Sequence, residues 1–78
     1  MRKNLKDYFI KKTKYKNINY TDDLIEKSII DSFGIVEFVQ FIEKKYKIRI
    51  SNTDLYPPNF KNINNIEKFI KKKLKKIR

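Results

Sequence analysis

The chain has 78 residues, a formal net charge of +11 and neither cysteine nor histidine. A chain of this length forms one domain with a thin core, since it buries only about 60 to 65% of the surface exposed by its unfolded state. The missing residue types exclude disulfides, cysteine zinc sites, a thiolate nucleophile and the usual general base, so we expect a non-catalytic protein.

The apolar residues are mixed with charged ones in short runs, which is typical of a small folded domain. No apolar run reaches the roughly 20 residues that cross a bilayer. The opening MRKNLKDYF lacks the apolar stretch of a secretory signal. We therefore expect a cytoplasmic protein without a membrane span.

The positive charge is unevenly distributed along the chain. Seventeen of the 20 basic residues are lysine, which we interpret as a bias toward AT-rich codons, because selection for phosphate binding favours arginine. Residues 20–43 hold six acids and one lysine, a net charge of −5, whereas the remainder has three acids and 19 bases, a net charge of +16. The middle of the chain thus stays acidic in a basic protein.

The first predicted element is a helix over Arg2–Lys12, in which Leu5, Tyr8 and Phe9 can face a core. No period persists through residues 13–30, so we expect a long connection there. Its apolar residues are the expected anchors to the core: Ile18, Tyr20, Leu24, Ile25, Ile29 and Ile30.

The strongest periodicity predicts a second helix, which begins at Ser32 or Phe33 and ends near Lys45. Its apolar stripe follows helical spacing and comprises Ile35, Phe38, Val39, Ile42 and Tyr46. The opposite side holds Glu37, Gln40, Glu43 and Lys44. Val36 and Phe41 flank the stripe, so part of an apolar edge is expected to be exposed.

The segment after the second helix is predicted to be an extended loop with Ile48 and Ile50 buried, because a single strand has no partner elsewhere in the chain. Pro58 can begin a helical turn through Phe60. Asn62 is the predicted N-cap of a last helix. The apolar stripe of that helix comprises Ile63, Ile66, Ile70, Leu74 and Ile77.

Ser32 allows two interpretations at the start of the second helix. A serine hydroxyl there commonly accepts a backbone hydrogen bond as a helix cap, which stabilises by about 1 kcal/mol. Alternatively, the hydroxyl can accept a phosphate-containing group, since the start of a helix favours negative charge.

The order of these elements resembles the acyl carrier and peptidyl carrier protein family. The stretch IIDSFGIVEFVQFIEKKYKIRI, residues 29–50, is similar to the family segment with an Asp-Ser-Leu or Asp-Ser-Phe signature. The stretch DLYPPNFKNINNIEKFI, residues 54–70, resembles the corresponding segment of free-standing carriers, including D-alanyl carrier proteins and discrete carriers of synthetases. The resemblance covers about residues 2 to 76.

The resemblance implies an all-α fold. It also implies that residues 1–78 form a single carrier domain. That fold is a small four-helix bundle with three longer helices, one short helical turn and a long loop between helices 1 and 2. It also implies that Ser32 carries a covalent 4′-phosphopantetheine arm, transferred from coenzyme A by a phosphopantetheinyl transferase that uses Mg²⁺. The terminal thiol of the arm holds an acyl or aminoacyl group as a thioester, so the reactive sulfur belongs to the prosthetic group.

The resemblance further implies the contacts of a monomeric carrier. Asp31 is expected to contact the transferase, with an ordinary helix-start acid as the alternative. A loading ligase and a downstream acyltransferase or synthase are the other expected partners. The expected docking residues on the second helix are Phe33, Val36, Glu37, Gln40 and Glu43. For the two glutamates the alternative is a solvated helix face.

The overall charge departs from the family, because most such carriers are acidic. We therefore expect a dedicated set of partner enzymes. Two rival interpretations use the basic residues: a small helical domain that binds nucleic acid through its basic ends, or a last helix over residues 63–78 that lies on anionic lipid. Carrier function implies no specific nucleic acid. The alternative to the lipid interpretation is that the stripe of the last helix packs on the second helix as core, because otherwise the small core cannot close.

Overall fold

The computed structural model describes residues 1–77, with side chains through residue 76. Within this range all regular secondary structure is helical, as the sequence predicts. The elements are three α-helices, α1 (Arg2–Lys12), α2 (Ser32–Tyr46) and α3 (Ile63–Ile77), and two short 3₁₀ helices, Asn52–Leu55 and Pro57–Phe60. The predicted bounds of α1 are confirmed. The helical turn predicted from Pro58 begins one residue earlier, at Pro57.

A chain of aromatic rings joins the helices through the core. Ring centroids are separated by 4.9 Å between Phe9 of α1 and Phe38 of α2, and by 6.3 Å between Phe38 and Phe60 of the second 3₁₀ helix. Phe60 lies 5.5 Å from Phe69 of α3. Such pairs add about 0.5–1.5 kcal/mol each beyond their area burial. Aliphatic residues complete the core, and among them Leu5, Leu24 and Ile42 are fully buried.

The long connection between α1 and α2 is anchored at both the side-chain and the backbone level. Ile18, Leu24, Ile29 and Ile30 are buried as predicted. The expectation that Ile25 is an anchor is wrong, because its side chain is 50% exposed. The Leu24 N–H donates to the Lys61 carbonyl at 2.8 Å, and the Asn64 N–H donates to the Tyr20 carbonyl at 3.2 Å. These bonds tie the connection to the end of the second 3₁₀ helix and to the start of α3.

The segment after α2 contains no strand among its residues, in agreement with the sequence. Lys47 adopts a left-handed backbone conformation (φ 55°, ψ 46°) that ends α2. Ile48 is buried and Ile50 is half-buried. Ser51 and Asp54 form a reciprocal capping box that starts the first 3₁₀ helix, an element that sequence periodicity did not predict. Asp54 also pairs with Lys73 and so ties this 3₁₀ helix to α3.

The last helix closes the core. The Asn62 Oδ1 accepts a hydrogen bond from the Asn65 N–H at 2.8 Å, which confirms the predicted cap. Ile63, Ile66 and Ile70 are completely buried, and Phe69, which is outside the predicted stripe, is buried with them. The predicted stripe residue Leu74 is half-buried, and the side chain of Ile77 lies outside the described residues.

The closest neighbours of α3 are α1 and the second 3₁₀ helix. Ile63, Ile66 and Ile70 share the core with Phe38 and Ile42 of α2, so this part of the stripe is not available to lie on a lipid surface. No helix described between residues 1 and 77 has the length and apolar character of a bilayer span.

Candidate functional site at the start of α2

Asp31 is the N-cap of α2. Its backbone is extended (φ −117°, ψ −171°), and its Oδ1 accepts a hydrogen bond from the Gly34 N–H at 2.6 Å. Its carbonyl accepts the Ile35 N–H at 2.9 Å. The interpretation of Ser32 as the cap is therefore wrong, because Asp31 already fills that position and Ser32 is the first helical residue.

Gly34 allows the capping carboxylate to approach the helix. A Cβ atom at this position would lie 3.1 Å from Asp31 Oδ1 and 3.6 Å from Ile30 Cγ1. The first distance is tighter than an ordinary van der Waals contact, so a side chain would press on the cap. Glycine lowers helix propensity by about 1 kcal/mol relative to alanine, and the cap that it permits offsets this cost.

The Ser32 side chain is exposed at the positive end of α2. The first N–H groups of a helix have no intrahelical acceptor, and they favour a bound or attached anion. In α2 the Asp31 carboxylate already accepts one of these N–H groups, that of Gly34. The hydroxyl of Ser32 therefore stands accessible to solvent where a phosphodiester is electrostatically favoured.

An open apolar groove of about 390 Å³ lies beside Ser32. Three separate segments supply its apolar wall: Ile25 and Ile30 from the long connection, Ile35 from α2, and Leu55, Pro57 and Phe60 from the two 3₁₀ helices. Its polar lining consists of Ser28, Asp31 and Ser32. The groove thus offers an apolar surface adjacent to a single exposed helix-start hydroxyl.

The large apolar side chains that remain exposed belong to the same part of the molecule. Within residues 1–76 they are Ile25, Phe33, Val36, Leu55 and Tyr56, and Phe33 is the most exposed at 84%. Ile25 and Leu55 line the groove with Ser32, while Phe33 and Val36 lie one turn apart on α2. Exposed apolar groups that lie close together are typical of an interaction surface.

Most carboxylates of the acidic segment, residues 20–43, bind the chain's own backbone. Asp22 accepts the Asn19 N–H at 2.9 Å, and Asp23 accepts the N–H groups of Ile25 and Glu26 at 3.1 and 2.9 Å. The hydrogen bond from Asn19 and the bond with Lys27, at 3.0 Å, lower the pKa of Asp22. These acids therefore stabilise the loop that leads to Ser32.

The predicted docking residues of α2 differ in their surroundings. Glu37 and Gln40 are exposed, as predicted. Glu43 is half-buried, and its Oε2 accepts the Ile50 N–H at 2.9 Å, so its carboxylate holds the segment that follows α2. Helical spacing predicted Glu43 on the outer face of α2, and nothing in the sequence indicated its hydrogen bond with the Ile50 N–H. A role of these residues in docking stays a prediction.

The described residues contain no group of three or more His, Cys, Asp or Glu side chains that could hold a metal ion. No model of a known protein family matches the chain, and no curated protein matches it. The geometry at the start of α2 is therefore the principal observation on function.

Proposed function

We propose that this protein is an acyl or aminoacyl carrier whose Ser32 bears a 4′-phosphopantetheine arm. The observation that supports it best is the division of roles at the start of α2, where Asp31 caps the helix and Ser32 is exposed beside an apolar groove. In this proposal the three α-helices and the second 3₁₀ helix correspond to the four helices of the carrier bundle.

The residues at this position suit the proposed group. Ser32 Oγ supplies the tether, and the positive end of α2 favours the negative charge of a phosphodiester. Ile25, Ile35 and Leu55 give the groove beside it an apolar surface, along which a flexible arm can lie. When attached, the arm supplies a thiol that holds the acyl group as a thioester, in a polypeptide with neither Cys nor His.

The proposed partners are a phosphopantetheinyl transferase, a loading ligase and a downstream acyltransferase or synthase. Phe33 and Val36 provide the apolar part of the docking surface, and Glu37 and Gln40 provide its polar part. Contacts of this kind are weak and short-lived, because a carrier must leave one enzyme to reach the next. The many lysines favour dedicated partners over those that serve acidic carriers.

The test is intact-mass spectrometry after incubation with coenzyme A, Mg²⁺ and a transferase of broad specificity. The wild-type protein is expected to gain the mass of one phosphopantetheinyl group, and Ser32→Ala is expected to gain none. Ser28 lines the same groove and has a positive φ of 57°, so Ser28→Gly is the matched control, which removes a hydroxyl without backbone strain. This control should be modified at the wild-type rate.

The proposal fails if the wild-type protein stays unmodified by every transferase tried, or if Ser32→Ala is modified. Asp31→Asn tests the predicted transferase contact separately, because an amide oxygen can still cap the helix. A rate of modification at least about tenfold below wild type in this variant, with its fold unchanged, would support a contact through the carboxylate charge. A wild-type rate would contradict that contact.

A further inference from the structure

A second groove, of about 340 Å³, lies between the 3₁₀ helices and α3. The 3₁₀ helices contribute Asp54, Pro58 and Asn59 to it, whereas Leu55, Pro57 and Phe60 line the groove at Ser32. Its other side is α3, with four lysines, Lys68, Lys72, Lys73 and Lys76. The two 3₁₀ helices thus form a common wall between an apolar groove and a basic one.

The basic lining continues past α3 to the segment that follows α2. An adjoining depression is lined by Lys47 and Arg49 together with Lys73 and Lys76, the same two lysines that line the second groove. We call the combined surface the basic groove. Among the residues that the structure describes, six cations line it: Lys47, Arg49, Lys68, Lys72, Lys73 and Lys76.

The carboxylates in the basic groove are already engaged. Asp54 pairs with Lys73 and accepts the Ser51 N–H at 2.9 Å, and Glu43 accepts the Ile50 N–H. With six cations and these two acids, the lining has a net charge of +4. A concave surface whose lining has an excess of one sign of charge concentrates the field and attracts ligands of opposite charge.

We propose that the basic groove docks an extended, acidic segment of a partner protein. Its concave shape suits a peptide chain better than a flat bilayer, and the exposed apolar residues that a membrane surface needs lie elsewhere, around Ser32. Single-stranded nucleic acid binds on exposed aromatic rings and arginine, but Phe69 is only 8% exposed and Arg49 is the only arginine among the described residues that line the groove. Lysines serve well as point charges for carboxylates.

This inference does not depend on the modification of Ser32. The groove at Ser32 and the basic groove are lined by different residues, so a peptide in the basic groove leaves Ser32 exposed. A partner held there would remain attached while another enzyme reaches the start of α2.

The test is fluorescence anisotropy with an oligo-glutamate peptide labelled with an uncharged dye, and oligo-glutamine as the neutral control. The groove variant combines Lys68→Gln, Lys72→Gln and Lys76→Gln. The matched control combines three exposed lysines that do not line the basic groove: Lys3→Gln, Lys11→Gln and Lys14→Gln. Both lose three positive charges, and circular dichroism checks that both remain helical.

The groove variant is expected to bind oligo-glutamate at least about tenfold more weakly than wild type, and the control variant less than about twofold more weakly. Equal weakening in the two variants would overturn the proposal, because binding would then follow net charge alone. An oligothymidine of the same charge that binds more tightly than oligo-glutamate, with the same dependence on the groove, would overturn it in favour of nucleic acid. Groove-dependent cosedimentation with phosphatidylserine vesicles would overturn it in favour of lipid.

Discussion

Asp31 and Ser32 are adjacent residues, and backbone conformation separates their roles. An N-cap residue has extended dihedral angles, which turn its side chain back over the first turn, whereas the first helical residue already has helical angles. Asp31 has the extended conformation, so its carboxylate reaches the Gly34 N–H. Both residue types are good caps, and the sequence alone does not specify which of them has the extended angles.

The cap predicts unequal effects of two alanine substitutions. Asp31→Ala should lower the free energy of unfolding by about 1 kcal/mol, because the Gly34 N–H loses its acceptor. Ser32→Ala should change it by less than about 0.5 kcal/mol, since its side chain is exposed at the surface. Urea denaturation followed by circular dichroism measures both. Equal losses in the two variants would show that Ser32 shares the cap.

Tyr46 predicts a stabilising substitution. Its hydroxyl oxygen is buried and has no hydrogen bond of good geometry among the described residues. The side chain of Asn4 lies near enough to lower the pKa of Tyr46, but burial outweighs it and raises that pKa, which indicates a weak contact. A buried polar group without a good partner costs about 1–3 kcal/mol. Phenylalanine keeps the ring and lacks the hydroxyl, so it avoids part of this cost. Tyr46→Phe should therefore raise the free energy of unfolding, by up to about 1 kcal/mol. A loss of stability in urea denaturation would indicate that the hydroxyl does have a partner in solution.

At the scale of secondary structure, elements with a sustained period were predictable. The helices α1 and α3 follow from their apolar spacing and from the Asn62 cap. The first 3₁₀ helix has only four residues and is stabilised by the capping box of Ser51 and Asp54. An element this short shows no apolar period from which it could be predicted. Ile25 was misassigned for a related reason, because a loop residue has no period that indicates which side it faces.

The candidate site was predictable in part. Ser32 was indicated by the resemblance of residues 29–50 to the carrier signature, because its position before an apolar helical run is equally typical of an ordinary helix cap. The groove beside it could not be predicted, because its apolar wall comes from three segments that are brought together only by tertiary packing. The bond from the Ile50 N–H to Glu43 likewise joins residues seven positions apart across the end of a helix.

Asp54 gives the element-scale prediction, since it joins the first 3₁₀ helix to α3. Hydrogen bonds from the Lys73 ammonium and the Ser51 N–H lower its pKa from 3.8 to about 2. A carboxyl group whose pKa is lowered by folding stabilises the folded state at pH values above its ordinary pKa. This contribution is lost as the pH falls from about 4 to about 2. Asp54→Asn should lack that loss.

The measurement is the free energy of unfolding in urea across this pH range. At neutral pH the wild type should exceed Asp54→Asn by about 1 kcal/mol, because the side chains of Asp54 and Lys73 are partly exposed and solvent screens their pairing. The difference should shrink toward zero near pH 2. Asp22 titrates alike in both proteins, so its effect cancels. A difference independent of pH would contradict the ion pair.

Across the whole molecule, positive charge exceeds the carboxylates that can pair with it. Four ion pairs are formed among the described residues, and two of them share Glu67. The net charge is +11, so the unpaired cations repel one another across a molecule that measures 36 × 23 × 19 Å. Such self-repulsion destabilises a compact state.

This excess predicts that salt stabilises the protein. At about 0.01 M ionic strength the Debye length is about 30 Å, comparable to the molecule, so most lysines repel one another; at about 0.15 M it is about 8 Å, and only close neighbours interact. The urea midpoint should therefore rise with sodium chloride while the slope of the unfolding transition stays constant. The groove and control triple variants, each with three fewer charges, should show a smaller rise. A midpoint that falls with salt would mean that the few ion pairs outweigh the repulsion, and that the lysines are arranged more favourably than their number indicates.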